Sequence, residues 1–197
     1  MTGVQTCALP IFCGSCRFHG GPFRNICNGS FDQTNTAKQH VNATDPDGAK
    51  GSEKEKQAVY RVYLGNTRFI NNWDLVDSSA QHIVGGYLWT RGRDPLYRLA
   101  HSENLWERRI SIMSSFHFIK RNAFEDTLRL SEILLDDPED LIHKAVGWML
   151  REIGNRDIKT EERFLIKHYR NMPRTMLRYA IEKFPEKRRK ANLKGTI

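Results

Sequence analysis

DDPEDLIHKAVGWMLREIGN, residues 136–155, decides the fold. Asp137 suits an N-cap, Pro138 the first helical position and Gly154 the stop, so the stretch reads as one long helix. Set beside ENLWERRISIM, residues 103–113, with an offset of 36, it becomes one copy of a repeat. Leu105 meets Leu141, Arg108 meets Lys144, Ile110 meets Val146 and Met113 meets Met149. A period of this size in paired helices predicts an all-α fold, a solenoid of helical hairpins. Such repeats bury a core only by stacking, and their concave face commonly binds something long.

Outward from that stretch the pattern stays helical from about Glu53. Long segments are predicted over Asn72–Leu88, Asn104–Lys120 and from MPRTMLRYAIEKF (172–184), where Pro173 marks a start. Shorter helices fit Glu53–Tyr63, Asp94–Ala100, Phe124–Leu135 and Lys159–Tyr169. No β-hairpin signal and no run of about 18 apolar residues is present, so neither a hairpin nor a membrane-spanning helix is expected. The formal net charge of +8 favours a polyanionic partner. From Lys167 to Ile197 there are ten Lys or Arg and two acids, which places the whole excess in that segment. A solvated basic tail would show the same composition.

Residues 1–50 differ in kind. They are rich in Gly, Asn, Thr, Ser and Cys and hold no helical or strand period, so an irregular segment is expected. Cys7, Cys13, Cys16 and Cys27 all lie there, and a cysteine-free remainder fits a reducing compartment. Cys13, Cys16 and His19 resemble a zinc half-site, but no second half-site is properly spaced. The opening MTGVQTCALPI is what ACTGGAGTTCAGACGTGTGCTCTTCCGATC encodes when read from a GTG start, and that string resembles a sequencing-library adapter. Residues 1–11 are therefore expected to be adapter-derived and the stretch to about Gly48 chimeric, with native N-terminal helices replaced.

Three helices carry residues that suit chemistry. Trp73 and Asp77 are four apart and share a face; Trp106 and Arg109, three apart, do likewise. Trp148 follows Gly147, which admits close approach of a backbone or ligand. Each tryptophan also suits a core edge, and Asp77 a plain ion pair. On a face that binds a polyanion, however, a carboxylate is the odd member, because it repels the ligand. It suits a reaction in which a cation forms, such as glycosidic cleavage through an oxocarbenium-like sugar.

In this order, NNWDLVD (71–77), LWERRI (105–110), HKAVGWMLRE (143–152) and MPRTMLRYAIEKF (172–184) resemble the DNA alkylation repair family of HEAT-like repeat DNA glycosylases. The resemblance covers roughly Gln57 to the C-terminus. It implies removal of cationic N3- or N7-alkylated purines from duplex DNA without a metal or other cofactor. It implies a catalytic role for Asp77, lesion-flanking roles for Trp73 and Trp148 and DNA binding by Arg109. It implies a monomer in the bacterial cytoplasm, at the nucleoid, with no membrane and no obligate protein partner. Arg108, Lys144, Arg151, Arg174, Arg178, Lys187, Arg188, Arg189 and Lys190 are candidate phosphate contacts. Two other readings stay open: a non-catalytic DNA-binding relative on the same scaffold, and a helical-repeat scaffold for protein partners.

Overall fold

Four helix starts among the described residues are written in short polar side chains. A computed structural model describes residues 51–195. The expected irregular segment 1–50, with Cys13, Cys16, His19 and Cys27, lies outside the described residues. Ser52 and Glu55 form a reciprocal capping box that opens α1 (Glu53–Gly65). Asn72 accepts from the Asp74 N–H to open α2 (Trp73–Ala80), which runs through a π turn, Gln81–Gly85, into α3 (Gly86–Leu88). Pro95 sits in the first turn of α4 (Asp94–Ala100), and Asn104 caps α5 (Leu105–Ser114). After α6 (Phe116–Ile119) and α7 (Glu125–Ile133) come α8 (Asp140–Gly154) and α9 (Ile158–His168), the latter capped by Asp157. Last are α10 (Arg174–Ala180) and α11 (Glu186–Lys194), which ends on Gly195 at φ 71°. The chain is all-helical, and no strand occurs among the described residues.

Contacts across the helices define the architecture. Tyr63 meets Ser79 and Glu53 meets Arg91, so α1 runs antiparallel to α2–α3. The Ser111 hydroxyl donates to the Leu96 carbonyl, which closes the α4–α5 hairpin in the same way. Between hairpins the register climbs in one direction. Asp77 meets Arg109 and Gly85 meets His117; the Leu141 carbonyl meets Arg109, and Trp148 meets Phe116. Hence α2, α5 and α8 stack in parallel as one layer. Met176 and Tyr179 lie against Gly147, and Glu182 pairs with Arg151, which adds α10 to that layer. The other layer is built from α1, α4, α7 and α9, linked by Arg93 and Tyr97 to Asp126 and by Glu132 to Lys167 and His168. The stacked hairpins form the expected helical repeat.

The core lies between the layers. Val76, Ala80, Val84, Leu96, Ile110, Met113, Ile142, Val146, Met149, Met176 and Ile181 are sealed from solvent. Partners on successive stacked helices are 32 residues apart (77–109, 109–141), about one helical turn short of the offset of 36 read from the repeat. Gly147 sets how close α8 and α10 come. A Cβ built there would lie 2.5 Å from the Met176 carbonyl oxygen and 2.6 Å from the Tyr179 Cβ. A neighbouring backbone therefore takes the space that the glycine leaves.

Three expectations need correction. The long helices predicted over Asn72–Leu88 and Asn104–Lys120 are each interrupted, by the π turn and by a break at Ser115. Asp137 is not the N-cap of α8: Glu139 holds that position, and α8 starts at Asp140 rather than Pro138. The Asp137 carboxylate accepts from the Glu139 N–H at 2.9 Å, just ahead of the helix, and also takes the Arg108 guanidinium at 2.6 Å in a charge-assisted bond. Gly154 does end α8, but without a left-handed residue, since Asn155 follows in the right-handed region. Its missing Cβ leaves room for Glu161 of α9, whose Cδ would otherwise lie 2.7 Å away.

Glu161 is a buried carboxyl whose Oε1 has no hydrogen-bond partner. Burial pushes it up to about 8, and the Arg151 guanidinium opposes this only in part. Below pH 4.5 both folded and unfolded chains hold this proton. As pH rises from there to about 8, the unfolded chain releases it first, so stability is lost across that window. Glu161→Gln is expected to remove the slope and to be the more stable protein above pH 8. Melting temperatures of both chains at pH 5 and pH 8.5 check this. A wild-type midpoint that does not fall relative to the variant would contradict it.

Candidate functional site

The exposed side of the α2–α5–α8–α10 layer gathers the residues singled out from sequence. Asn72 caps α2 so that Trp73 opens the helix, 53% exposed, and Asp77 follows one turn later. Arg109 reaches Asp77 from α5 in a two-pronged pair: Nε donates to Oδ1 at 2.9 Å and Nη2 to Oδ2 at 2.7 Å. Its remaining terminal nitrogen donates to the Leu141 carbonyl of α8. One guanidinium thus ties three successive helices together. The Arg109 side chain is 6% exposed and that of Asp77 15%, so solvent reaches the carboxylate but barely the cation. Each carboxylate oxygen keeps a second lone pair beyond the one that Arg109 uses.

Behind the pair, the Tyr63 hydroxyl bonds Ser79 at 2.9 Å, and Ser79 gives its own proton to the Leu75 carbonyl. Tyr63 is therefore the donor. Burial, with the Asp77 charge adding to it, pushes the phenol up to about 12. It is a fixed neutral prop.

The tryptophans bracket this pair. Trp73 lies one turn before the level set by Asp77, Arg109 and Leu141, and Trp148 seven residues after it along α8. In parallel helices those positions differ by 11 residues, a rise of about 16 Å. Trp148 is half-buried; its indole N–H donates to Glu152 at 3.2 Å, and its ring lies 6.1 Å from that of Phe116. Trp106 packs against the core.

The candidate phosphate contacts divide. Arg108 is only 12% exposed and binds Asp137 and the carbonyls of Ser102 and Glu103, so it holds the start of α8 instead of facing outward. Arg109 is likewise an internal partner of Asp77 before it is anything to DNA. Lys144 pairs with Asp140, Arg151 with Glu182, Arg188 with Glu162 and Lys190 with Glu186, while Arg174 donates to the Leu193 carbonyl. Arg178, Lys187 and Arg189 are exposed. Pairing across hairpins cannot be seen in a sequence, where Arg108 and Asp137 stand 29 residues apart.

Sequence reasoning missed Gln81, Phe116 and Lys120. Lys120 donates to Gln81 at 2.8 Å, and its ammonium lies 4.7 Å from the centre of the Phe116 ring. A π turn or a helix break leaves no periodic trace, so no signal could have found them. Among the described residues no cluster of His, Cys, Asp and Glu is grouped to hold a metal ion, and no helix is long and apolar enough to cross a membrane.

In this helical-repeat protein the carboxylate–guanidinium pair thus lies between an exposed and a half-buried tryptophan. The model of the DNA alkylation repair enzyme family matches residues 36–184, and the chain belongs to that family. It is a DNA repair enzyme. The match begins inside the segment expected to be foreign and stops before α11. No curated protein matches the sequence.

Proposed function

We propose that this enzyme hydrolyses the N-glycosidic bond of cationic N3- or N7-alkylated purines in duplex DNA. The observation that carries the reading is the solvent-reachable Asp77 carboxylate, oriented by Arg109 and bracketed by Trp73 and Trp148. The base leaves with the electron pair of the C1′–N bond, which neutralises its own charge, so no acid is needed to protonate it. The sugar is left oxocarbenium-like, and Asp77 faces that charge through the lone pairs that Arg109 does not use. Water adds to C1′, and its proton passes to Asp77 or to solvent. Trp73 and Trp148 pack against the deoxyribose and backbone on either side.

The Asp77–Arg109 pair also resolves the oddity of a carboxylate on a polyanion-binding face. The guanidinium balances it, so the face does not repel phosphate. Exposed Arg178, Lys187 and Arg189 supply backbone contacts that give affinity without sequence preference. A DNA-binding relative without catalysis is the second reading, favoured by the fact that both Asp77 oxygens already accept from Arg109.

The experiment is release of alkylated bases from methylated duplex DNA, with duplex binding followed in parallel as salt is raised. Release of N3- or N7-alkylpurines supports the glycosylase. Salt-sensitive binding with no release supports the second reading.

A further inference from the structure

The layer that does not carry Asp77 ends in a basic ridge. On α9, Thr160, Glu161, Phe164 and Leu165 are buried, and Glu161 packs against Gly154 of α8, so this side of the helix turns toward the core. At about 100° per residue, Lys159, Arg163 and Ile166 fall on the opposite side, with Arg170 just past the last turn, and all four are exposed. Both flanks of the ridge are taken. Lys167 and His168 hold Glu132 of α7 on one side, and Arg188 of α11 holds Glu162 on the other. The ridge therefore faces away from α8 and from the layer that presents Asp77.

The acids of this part of the chain are all committed elsewhere. From Arg156 to Lys194 there are thirteen Lys or Arg and five acids. Asp157 caps α9, Glu161 is buried, Glu162 takes Arg188, Glu182 takes Arg151 and Glu186 takes Lys190. A row of cations without interleaved acids suits a polyanion. A protein partner would be met by a desolvated cluster of large anchors, and a membrane by an apolar helix face. Here the apolar side of α9 packs on the core, and Ile166 is the one large hydrophobic residue among the ridge cations. From Lys159 to Arg170 the row rises about 16 Å along one line, which suits a stiff rod of closely spaced phosphates. In a DNA repair enzyme that rod is a duplex.

We infer that the outer side of α9 is a second binding surface for duplex DNA, so that one chain holds two DNA segments, one on each layer. Lys159, Arg163 and Arg170 contact phosphates of the second segment. The inference rests on the reading that a first duplex lies on the Asp77 face, and not on base release. Contacts to phosphate alone carry no sequence preference, so the ridge takes any segment. A chain held by its ridge presents the Asp77 face to a neighbouring segment without first returning to solution.

The test counts duplexes per chain. The full chain is titrated with a short unmodified duplex at low salt, which gives stepwise dissociation constants, and mass photometry weighs the complexes. One chain with two duplexes is expected. Lys159→Gln, Arg163→Gln and Arg170→Gln together are expected to weaken the second step about tenfold and to lower its salt slope by about 3, while the first step stays within about twofold. Lys159→Gln and Arg170→Gln singly each lower that slope by about one, so the result does not depend on the triple variant folding. Lys54→Gln, Arg61→Gln and Arg98→Gln together remove the same charge from exposed positions on α1 and α4 and are expected to keep the second step. A second step that the α9 variants leave unchanged, two chains in every two-duplex complex, or preferential capture of anionic lipid vesicles at the ridge overturns the inference. So does a single bound duplex at saturation. If the α9 variants lose that one duplex, the Asp77-face reading falls as well; if they keep it, that reading stands and the second surface alone is removed.

Discussion

Asp77→Asn is expected to lower base release by about 10²–10³-fold, the usual effect of removing one group aimed at developing charge. The substitution keeps the shape and one acceptor oxygen for Arg109 but removes the negative charge. Its amide nitrogen then faces the guanidinium where a carboxylate oxygen stood. One charge-assisted bond is lost, so the fold is expected to weaken by about 2 kcal/mol. Duplex binding is expected to hold or tighten, because one negative charge leaves a face that meets phosphate. Single-turnover release, a thermal melt and a binding isotherm on the same preparation check all three. Release at the wild-type rate by a folded variant would remove the mechanism proposed here.

The second large effect is expected at Arg109. If it were a phosphate contact, its removal would weaken binding and reduce the salt dependence of binding by about one counterion. In the structure its donors go to Asp77 and to the Leu141 carbonyl. Arg109→Gln is therefore expected to leave the salt slope unchanged. It strands a half-buried carboxylate and an interhelical carbonyl, which costs about 3–5 kcal/mol. Base release falls with it, because Asp77 is no longer held in one orientation. Arg109→Lys restores the charge without the two-pronged geometry and should recover stability more than rate. A salt slope lowered by one, with Asp77-dependent release intact, would return Arg109 to the phosphate contacts.

The helical repeat was legible because it is written locally. Ser52, Asn72, Asn104 and Asp157 each cap the helix that follows within a few residues of chain, and the apolar spacing marks the buried stripe. Asp137 misled for the same reason: it does take a local N–H, that of Glu139, but the helix starts only at Asp140, and an arginine 29 residues away holds the same carboxylate. Trp73, Asp77, Arg109 and Trp148 could be picked out, but that Arg109 turns to Asp77 could not, since nothing periodic links positions 32 apart. Phe116 and Lys120 were invisible, because their aim depends on a break in helix geometry that leaves the residue pattern unchanged.

Stacked hairpins touch only their neighbours, and this sets how the molecule comes apart. Stability in such an array is a sum of nearest-neighbour terms, so among the described residues the first and last helices are held from one side alone. The polar helix α11 buries only Asn192, and α1 buries only Tyr63. Amide hydrogens are therefore expected to exchange fastest in those two helices and slowest in α5 and α8, as a proton-exchange time course would show. The Arg109 guanidinium sits at the middle of that gradient and bridges α2, α5 and α8. The residue that aims the carboxylate thus also acts as a rivet: the array can fray from both ends while the layers around Asp77 stay joined.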